Sequence, residues 1–117
     1  MSRSHHRFEV MEESGLGVPL VRVEGEVDLV SARELEAKVR LAMRSEAPGV
    51  ALDLRRVTYF DALGIQALLN AGRLAKRQNK RLVLLDRIRP MRRELAACQV
   101  HRIMMIFPTL EHAREAF

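Results

Sequence analysis

The stretch Val50–Leu69, VALDLRRVTYFDALGIQALL, decides the fold more than any other part of the chain. Its first residues alternate between apolar and other side chains, with Val50, Leu52 and Leu54 as the apolar set. This alternation predicts a short buried strand. A loop at Thr58–Phe60 is expected to follow, and Asp61 then stands directly before a helical pattern. Asp is a preferred helix N-cap, because its carboxylate accepts hydrogen bonds from the free N–H groups of the first turn.

The helix after Asp61 has an apolar face at helical spacing, made of Ile65, Leu68, Leu69 and Gly72. Gly64 lies in its first turn, where Gly costs about 1 kcal/mol relative to Ala. Either the glycine is merely tolerated, or something approaches the backbone closely at this point. We favour the second interpretation, which makes the strand, the loop and the start of the helix a candidate surface site.

The same stretch resembles the signature of the STAS family, which includes domains of sulfate transporters and bacterial anti-sigma-factor antagonists. The family pattern is an apolar strand followed by Phe-hydrophobic-Asp-Ser-Ser-Gly-Leu-Gly at the start of a helix. Three further segments resemble family elements in the same order: Gly25–Leu29, Arg81–Leu85 and Ile88–Pro90. The resemblance implies an α/β fold with a central mixed β-sheet of about five strands and about four helices.

One departure from the family pattern bears directly on function. In phosphorylated members, the second Ser of the Asp-Ser-Ser-Gly motif receives a phosphoryl group from a partner kinase. By position, the two serines correspond to Ala62 and Leu63 here, and neither side chain carries an oxygen. The usual phosphorylation switch is therefore not expected to operate. The similar letters at Ser14–Gly17 lie between two strand-like runs and are interpreted as a turn.

The remaining pattern alternates strands and helices. Strands are expected at Phe8–Met11, Val18–Val23, Val50–Leu54, Leu82–Leu85 and Ile103–Phe107. Helices are expected with Ser31 as N-cap and Glu34 at N3 of a capping box, at Ala62–Gln78, after Pro90 with Met91, Leu95 and Cys98 inward, and after Thr109. The core face of the first helix is expected to be Ala32, Leu35, Val39, Ala42 and Met43. Residues 1–117 are predicted to form a single domain, with residues 1–7 as a flexible N-terminus.

Composition fits a small cytoplasmic domain. The chain has 117 residues, of which 48% are hydrophobic, and a single cysteine, Cys98. One cysteine excludes an internal disulfide and suits a reducing cytosol. The apolar runs reach only about five residues, far short of the roughly 18 that a membrane-spanning helix needs. The polar, charged N-terminus does not resemble a secretory signal. We therefore expect a stand-alone chain without a membrane span.

A second set of residues on the helix after Asp61 has two interpretations. Leu63, Ala67, Ala71 and Leu74 form another stripe, with Gln66 and Asn70 beside it. The stripe either widens the core face or forms a flat docking surface that loses little side-chain entropy on binding. We favour docking because the stripe lies beside Asp61. The predicted partner-binding residues are Asp28, Thr58, Asp61, Ala62, Leu63, Gly64, Gln66, Ala67 and Asn70.

An enzymatic function is not expected. Asp28 and Asp61 should converge if the resemblance holds, and two carboxylates can hold a metal or act as acid and base. However, neither motif contains His, Ser or Cys, and the chain has no glycine loop of the P-loop type. Capping or polar-pocket functions fit the two residues better than catalysis. No cofactor and no metal site are predicted.

The net charge of +5 is unusual for the family. Basic residues cluster in two groups: Arg73, Lys76, Arg77, Lys80 and Arg81, and then Arg87, Arg89, Arg92 and Arg93. Such a stripe can bind nucleic acid or an anionic membrane surface. Because no aromatic residue is interleaved with it, a stacking platform for single strands is not indicated. A solvated face, or one that matches an acidic partner, is the favoured interpretation.

The sequence therefore predicts a protein-interaction module that resembles an anti-sigma-factor antagonist. Its implied partner is an anti-sigma factor of the ATP-binding kinase type or another regulatory protein, and a second copy of the chain, forming a homodimer, is a further alternative. The first alternative is a regulatory or scaffold STAS subunit of a lipid-transport ATPase or a stress-signalling complex. The second is a basic nucleic-acid or anionic-lipid binder, and the weakest is a nucleotide-binding switch.

Overall fold

Strands and helices alternate along the chain after an initial hairpin. The computed structural model describes residues 6–11, 15–86 and 104–117. Its elements are β1 His6–Met11, β2 Leu20–Val27, α1 Leu29–Ala42, β3 Gly49–Phe60, α2 Ala62–Arg77, β4 Arg81–Leu85, β5 Met105–Phe107, α3 Leu110–Ala113 and a 3₁₀ turn Arg114–Ala116. Within these ranges no helix combines the length and the apolar character needed to cross a membrane.

The strands form one five-stranded sheet in the order β1-β2-β3-β4-β5. β1 pairs with β2 antiparallel, and all other neighbours are parallel. The hairpin turn uses two glycines with positive φ, Gly15 at 80° and Gly17 at 78°, a backbone conformation that Gly adopts without steric cost. The predicted mixed α/β sheet is confirmed. The described residues contain three helices rather than about four.

Several predictions fall outside the described residues. They are the first five of the seven residues predicted as a flexible terminus, the helix after Pro90 with Met91, Leu95 and Cys98, the start of the last strand at Ile103, and the basic group Arg87, Arg89, Arg92 and Arg93. The other two residues of that predicted terminus, residues 6 and 7, lie in β1.

Each face of the sheet carries its own apolar core. On one face, α1 and α2 pack over buried residues of the central strands, among them Val21, Val23, Leu52, Leu54 and Leu84. On the other face, the C-terminal α3 and the 3₁₀ turn cover Leu20, Ala51, Val83 and Leu85. The alternation of β3 explains this division, because successive side chains of a strand point to opposite faces. The predicted core face of α1 is confirmed, since all five of its residues are buried.

Two predicted boundaries are wrong, and both errors bear on the site. The first helix does not begin at Ser31, because Asp28 is its N-cap and Ser31 is the N3 partner in a capping box. Asp and Ser are comparable N-caps, so the sequence alone did not show which of these two residues, three positions apart, begins the helix. The strand from Val50 also does not end at Leu54, because β3 continues to Phe60. Thr58 therefore lies on a strand and not in a loop.

A buried ion-pair network joins β2 to β3 on the face covered by α3. The carboxylate of Asp53 is 2% exposed. It accepts hydrogen bonds from Arg55 Nε at 2.9 Å, from Arg55 Nη2 at 2.9 Å and from Arg22 Nε at 3.2 Å. Burial raises the pKa of Asp53, but the hydrogen bonds and attraction of Arg55, with a hydrogen bond from Arg22, outweigh burial and lower the pKa below its usual range.

This lowered pKa predicts a specific pH dependence for Asp53→Asn. A carboxyl whose pKa is lower in the folded state contributes stability above its unfolded pKa of about 3.9, and loses it as the pH falls through the folded pKa. At pH 7 the variant should therefore be less stable by about 1.5–3 kcal/mol, the range for hydrogen bonds to charged groups. Urea denaturation at pH 7 and pH 3 should show the difference from wild type shrinking at the lower pH. A difference that is equal at both pH values would contradict the ion-pair account.

Candidate functional site

The two predicted acidic residues come together at one edge of the sheet. β2 and β3 are parallel neighbours that end together, with Val27 paired to Phe60. The backbone N–H of Asp61 donates to the carbonyl of Val27 at 3.2 Å. Asp28 and Asp61 follow these paired ends directly, and α1 and α2 begin there side by side. The expected convergence of Asp28 and Asp61 at the same sheet edge is therefore observed.

Asp28 uses its carboxylate to start α1. Its Oδ1 accepts from the backbone N–H groups of Val30 and Ser31, each at 3.1 Å. In return, the backbone N–H of Asp28 donates to Ser31 Oγ at 2.8 Å, and Ser31 Oγ donates to the carbonyl of Glu26 at 3.0 Å. This reciprocal pattern is a capping box. It ties the start of α1 to the end of β2, so Asp28 has a local structural function that involves no metal.

Asp61 performs the same capping function for α2. Gly64, three residues later, explains why the helix lies so close to the sheet. Asp61 Oδ1 accepts from the backbone N–H of Gly64 at 2.9 Å. A Cβ atom on Gly64 would lie 2.5 Å from Phe60 Cδ1 and 2.9 Å from Val27 Cγ1. Gly64 is therefore required by close packing, as the favoured interpretation held. The neighbour that approaches it is the protein's own core, so Gly64 offers no surface to a partner.

The packing at Gly64 predicts the effect of Gly64→Ala. Overpacking a filled core costs about 1–3 kcal/mol, whereas Ala instead of Gly in a helix gains only about 1 kcal/mol. We expect a lower melting temperature, measured by circular dichroism, together with an unchanged far-ultraviolet spectrum. Ala62→Gly is the matched control, because it alters helix propensity at an exposed position two residues away. A Gly64→Ala variant more stable than wild type would contradict the close packing.

Four large apolar side chains are exposed around the two caps. They are Leu29 (49% exposed), Val30 (62%), Tyr59 (55%) and Leu63 (49%), and we call them the apolar rim. They lie on the first turns of α1 and α2 and at the end of β3, three segments that meet at this edge. Ala62 and Thr58, both predicted site residues, are exposed on the same segments. The rim is a surface where burial against a partner would gain hydrophobic stabilisation.

Leu29 and Val30 were not predicted as site residues. A signal for them exists in the sequence, because both are apolar but fall outside the core spacing of Ala32, Leu35 and Val39. Once Asp28 is recognised as the N-cap, they become first-turn residues that point away from the core. Because the start of the helix was predicted three residues too late, Leu29 and Val30 were not recognised as part of the site.

The stripe that was favoured as a flat docking surface is mostly core. Ala67 and Ala71 are 1% and 4% exposed, and Leu74 is half-buried. α1 packs on this side of α2, so the alternative interpretation, a wide core face, is correct for these residues. Of the four, only Leu63 is exposed. Ala67 therefore does not contribute to the accessible surface.

The exposed face of α2 follows a different line, which we call the α2 stripe: Leu63, Gln66, Asn70, Arg73 and Arg77. Its spacings of three and four residues place these side chains on one side of the helix. Gln66 Nε2 donates to Asn70 Oδ1 at 3.1 Å, and Asn70 Nδ2 donates to Glu36 Oε1 of α1 at 3.0 Å. The stripe joins the apolar rim to the basic end of the helix.

The first basic group does not form one free surface. Lys80 Nζ donates to the carbonyls of Met43, at 2.7 Å, and Ser45. Arg81 donates to the carbonyl of Ala116. These two cations hold loops and the C-terminus in place, whereas Arg73, Lys76 and Arg77 are exposed on α2. The basic stripe expected from the sequence is thus divided between structural and exposed residues. In the part of the chain that the structure describes, no cluster of acidic, His or Cys side chains could hold a metal ion.

Comparison with known proteins identifies the fold family. The family model described as "Mlab, STAS domain" matches residues 10–107. The chain belongs to the STAS family.

Solved structures support the assignment of the fold. An anti-sigma-factor antagonist from Mycobacterium paratuberculosis is 23% identical, with a TM-score of 0.83, and the match covers 98% of this chain and 96% of that one. The phosphorylated form of the Bacillus cell fate determinant SpoIIAA is 21% identical, covering 94% and 98% with a TM-score of 0.70. A protein from Thermotoga maritima described as a putative anti-sigma-factor antagonist is 16% identical, covering 94% and 92% with a TM-score of 0.78. At these identities the likeness concerns the fold.

The segment Asp61–Gly64 combines a helix cap with a tightly packed glycine and contains no hydroxyl side chain. Asp61 caps α2 as the motif's Asp is expected to, and Gly64 occupies the tightly packed position. Between them, Ala62 and Leu63 are exposed in the first turn of the helix. The first turn of α2 thus presents an exposed leucine side chain and no hydroxyl group.

Proposed function

We propose that this protein is a non-enzymatic binding module of the cytoplasm. In this proposal it acts as an anti-sigma-factor antagonist, binds an anti-sigma protein of the ATP-binding kinase type and so regulates sigma-factor-dependent transcription. The observation that carries the proposal is the exposed Leu63 at the family's phosphoacceptor position, within the apolar rim. Two of the similar solved structures are described as anti-sigma-factor antagonists.

The apolar rim offers hydrophobic area to a partner, but its central residue Leu63 offers no hydroxyl to a kinase. Leu63 and its neighbours in the rim can bury apolar area against a partner, which stabilises a complex by about 25 cal/mol per Å² before the costs of association. The Leu63 side chain cannot accept a phosphoryl group, because it carries no hydroxyl. Binding would therefore be regulated by the amount of protein or be constitutive, because the charge that switches the serine-containing motif has no attachment point here.

Leu63→Glu and Leu68→Glu distinguish the proposed contact from the core. A carboxylate near a helix N-terminus is favourable by about 0.3–1 kcal/mol, and Leu63 is 49% exposed, so Leu63→Glu should keep a near-native melting temperature. Against an apolar partner surface the same charge must be desolvated, and the affinity should fall at least several-fold. Leu68 is fully buried, so Leu68→Glu should unfold the domain.

Circular dichroism melting and titration calorimetry measure the two effects. The titration partner is the purified ATP-binding anti-sigma protein encoded by the same genome, with Lys76→Glu as the charge control outside the rim. A folded Leu63→Glu variant that binds this protein as tightly as wild type would eliminate the rim as the contact.

Phosphorylation supplies an independent test. Incubation with the same anti-sigma kinase and ATP should leave Asp61–Gln66 unmodified, because this segment contains no hydroxyl side chain. Leu63→Ser restores the hydroxyl at the family position and should become a substrate. Phosphopeptide mapping measures both results. Phosphate on Thr58 of the wild-type protein would overturn the proposal that the switch has been lost.

A second candidate function is a scaffold subunit of a lipid-transport ATPase. The match to a family model named for Mlab, rather than for an antagonist, favours it. The same rim would then contact the ATPase subunit. The two candidates separate when the purified protein is mixed with each partner from its host, because only the correct partner should lose affinity for the Leu63→Glu variant.

A further inference from the structure

Beyond the apolar rim, the two helices enclose a groove with three arginine side chains. The groove lies between α1 and α2 and has a volume of about 390 Å³. Arg40 lines it from α1, and Arg73 and Arg77 line it from α2; we call it the arginine groove. It is open to solvent rather than enclosed. None of the residues that define it belongs to the rim.

The cations in this groove are not neutralised within the described part of the chain. There, the ion pairs of arginine side chains are those of Arg22, Arg55 and Arg56, so no carboxylate lies within ion-pair distance of Arg40, Arg73 or Arg77. The nearest carboxylate in the lining is Glu36, and one of its oxygens accepts from Asn70 Nδ2. Three cations facing one carboxylate make an electrostatic surface that complements an anion.

The shape and lining of the groove distinguish between classes of anion. Small-molecule sites bury most of their ligand in an enclosed pocket, whereas this groove is open. Arg40 and Arg77 lie near the C-terminal ends of their helices, where backbone carbonyls rather than N–H groups are free. The backbone therefore offers no phosphate cradle, and the arginine side chains must supply the binding. Planar guanidinium groups match carboxylates and phosphates alike through two parallel hydrogen bonds, so the rest of the lining decides between these anions.

The floor of the groove is apolar. Ala71, which is 4% exposed, and Leu74, which is half-buried, both belong to its lining, so Leu74 is the apolar side chain that an occupant can reach. An occupant with both carboxylates and apolar side chains would satisfy the whole surface, whereas a free phosphate or nucleotide phosphate would leave the floor unused. This combination is typical of grooves that receive an amphipathic helix.

The groove is also continuous with the surface already described. The α2 stripe runs from Leu63 in the rim to Arg77 in the groove, a distance of roughly 21 Å at 1.5 Å per residue. One helical segment of about 14 residues covers that length. The rim would receive its apolar end and the groove its charged end.

We propose that the arginine groove binds an acidic amphipathic segment of the partner protein, with carboxylates on Arg40, Arg73 and Arg77 and an apolar side chain on the half-buried Leu74. This inference rests on the proposed function, because the same partner occupies the rim. It adds the chemistry of the partner segment, a run of Asp or Glu at helical spacing with Leu or similar residues between them.

A synthetic peptide tests the groove without the partner. The probe is a 14-residue helical peptide with Glu and Leu at helical spacing, and its control has Gln in place of every Glu. In nitrogen-15 NMR titrations the Glu peptide should give saturable shifts at Arg40, Arg73 and Arg77. The Gln peptide should bind at least five-fold more weakly. Raising the salt from 50 to 300 mM should weaken the Glu peptide more than the Gln peptide, because salt screens exposed charges.

A charge-reversal variant tests whether the arginines of the groove bind the Glu peptide. Arg73→Glu should weaken the Glu peptide at least five-fold, and its matched control is Arg114→Glu, an equal charge change at an exposed position on the 3₁₀ turn. Both variants should keep wild-type melting temperatures. Equal weakening by both variants would show attraction by net charge alone and would overturn the groove.

Other ligands provide the opposing outcomes. Tripolyphosphate that shifts the same arginines at lower concentration than the Glu peptide would make this a small-anion site and overturn the proposal. Vesicles containing one quarter phosphatidylserine give a second comparison. If they bind the wild-type protein but not Arg73→Glu, at a salt concentration where the Glu peptide does not bind, the groove is a membrane-binding surface and the proposal is wrong.

The partner assay separates the two proposals. If Leu63→Glu loses the anti-sigma protein while Arg73→Glu binds it as tightly as wild type at 50 mM salt, the rim stands and the arginine groove is wrong. If Leu63→Glu binds the anti-sigma protein as tightly as wild type, the rim is not the contact, and the Glu peptide then decides whether the groove accepts an acidic segment. If the wild-type protein does not bind the anti-sigma protein at all, the proposed function fails.

Discussion

The contact of Gly64 with the ends of β2 and β3 is the constraint on which the site depends. Because Gly64 has no Cβ, the first turn of α2 packs directly against Phe60 and Val27. That packing fixes where α2 begins, and therefore where Leu63 emerges, one residue before the glycine. Asp61 and Asp28 cap the two helices from neighbouring strand ends, so the exposed surface is built on rigid elements. A binding surface that is already ordered loses less conformational entropy on association.

Much of this arrangement could be predicted from the sequence, for identifiable reasons. The alternation at Val50, Leu52 and Leu54, with Asp61 as cap, predicted β3 and α2 because strand and helix periods differ clearly there. The start of α1 was predicted wrongly because Asp28 and Ser31 are both good caps, and only the reciprocal hydrogen bonds of the structure decide between them. The exposure of the second α2 stripe could not be predicted either. Small residues such as Ala67 and Ala71 suit both a docking surface and a tight helix contact, so burial depends on where α1 packs.

Because Ala62 and Leu63 carry no hydroxyl groups, the first turn of α2 presents apolar side chains and no group that a kinase can phosphorylate. In a serine-containing motif, a phosphate adds about 1.5–2 negative charges next to the free N–H groups of a helix N-terminus, where an anion is stabilised. Leu63 instead presents apolar area that is constant in time. Such a surface favours a contact whose strength depends on burial and varies little with kinase activity. Under the proposed function, binding would then be controlled by the concentrations of the two proteins.

The rim and the arginine groove would contribute to one complex in different ways. Burial at the rim is nearly independent of salt and mainly sets the lifetime of a complex, whereas charges at an open groove accelerate association and are screened as salt increases. Arg73 and Arg77 lie roughly 15–21 Å along α2 from Leu63, beyond the Debye length of about 8 Å at physiological ionic strength. A charge reversed in the groove therefore has little electrostatic effect at the rim itself. If one partner segment occupies both the rim and the groove, the substitutions should act on different rate constants. Substitution of Arg73 should change the association rate, and substitution of Leu63 the dissociation rate. Their effects on the free energy of binding should add, because the two residues share no contacts.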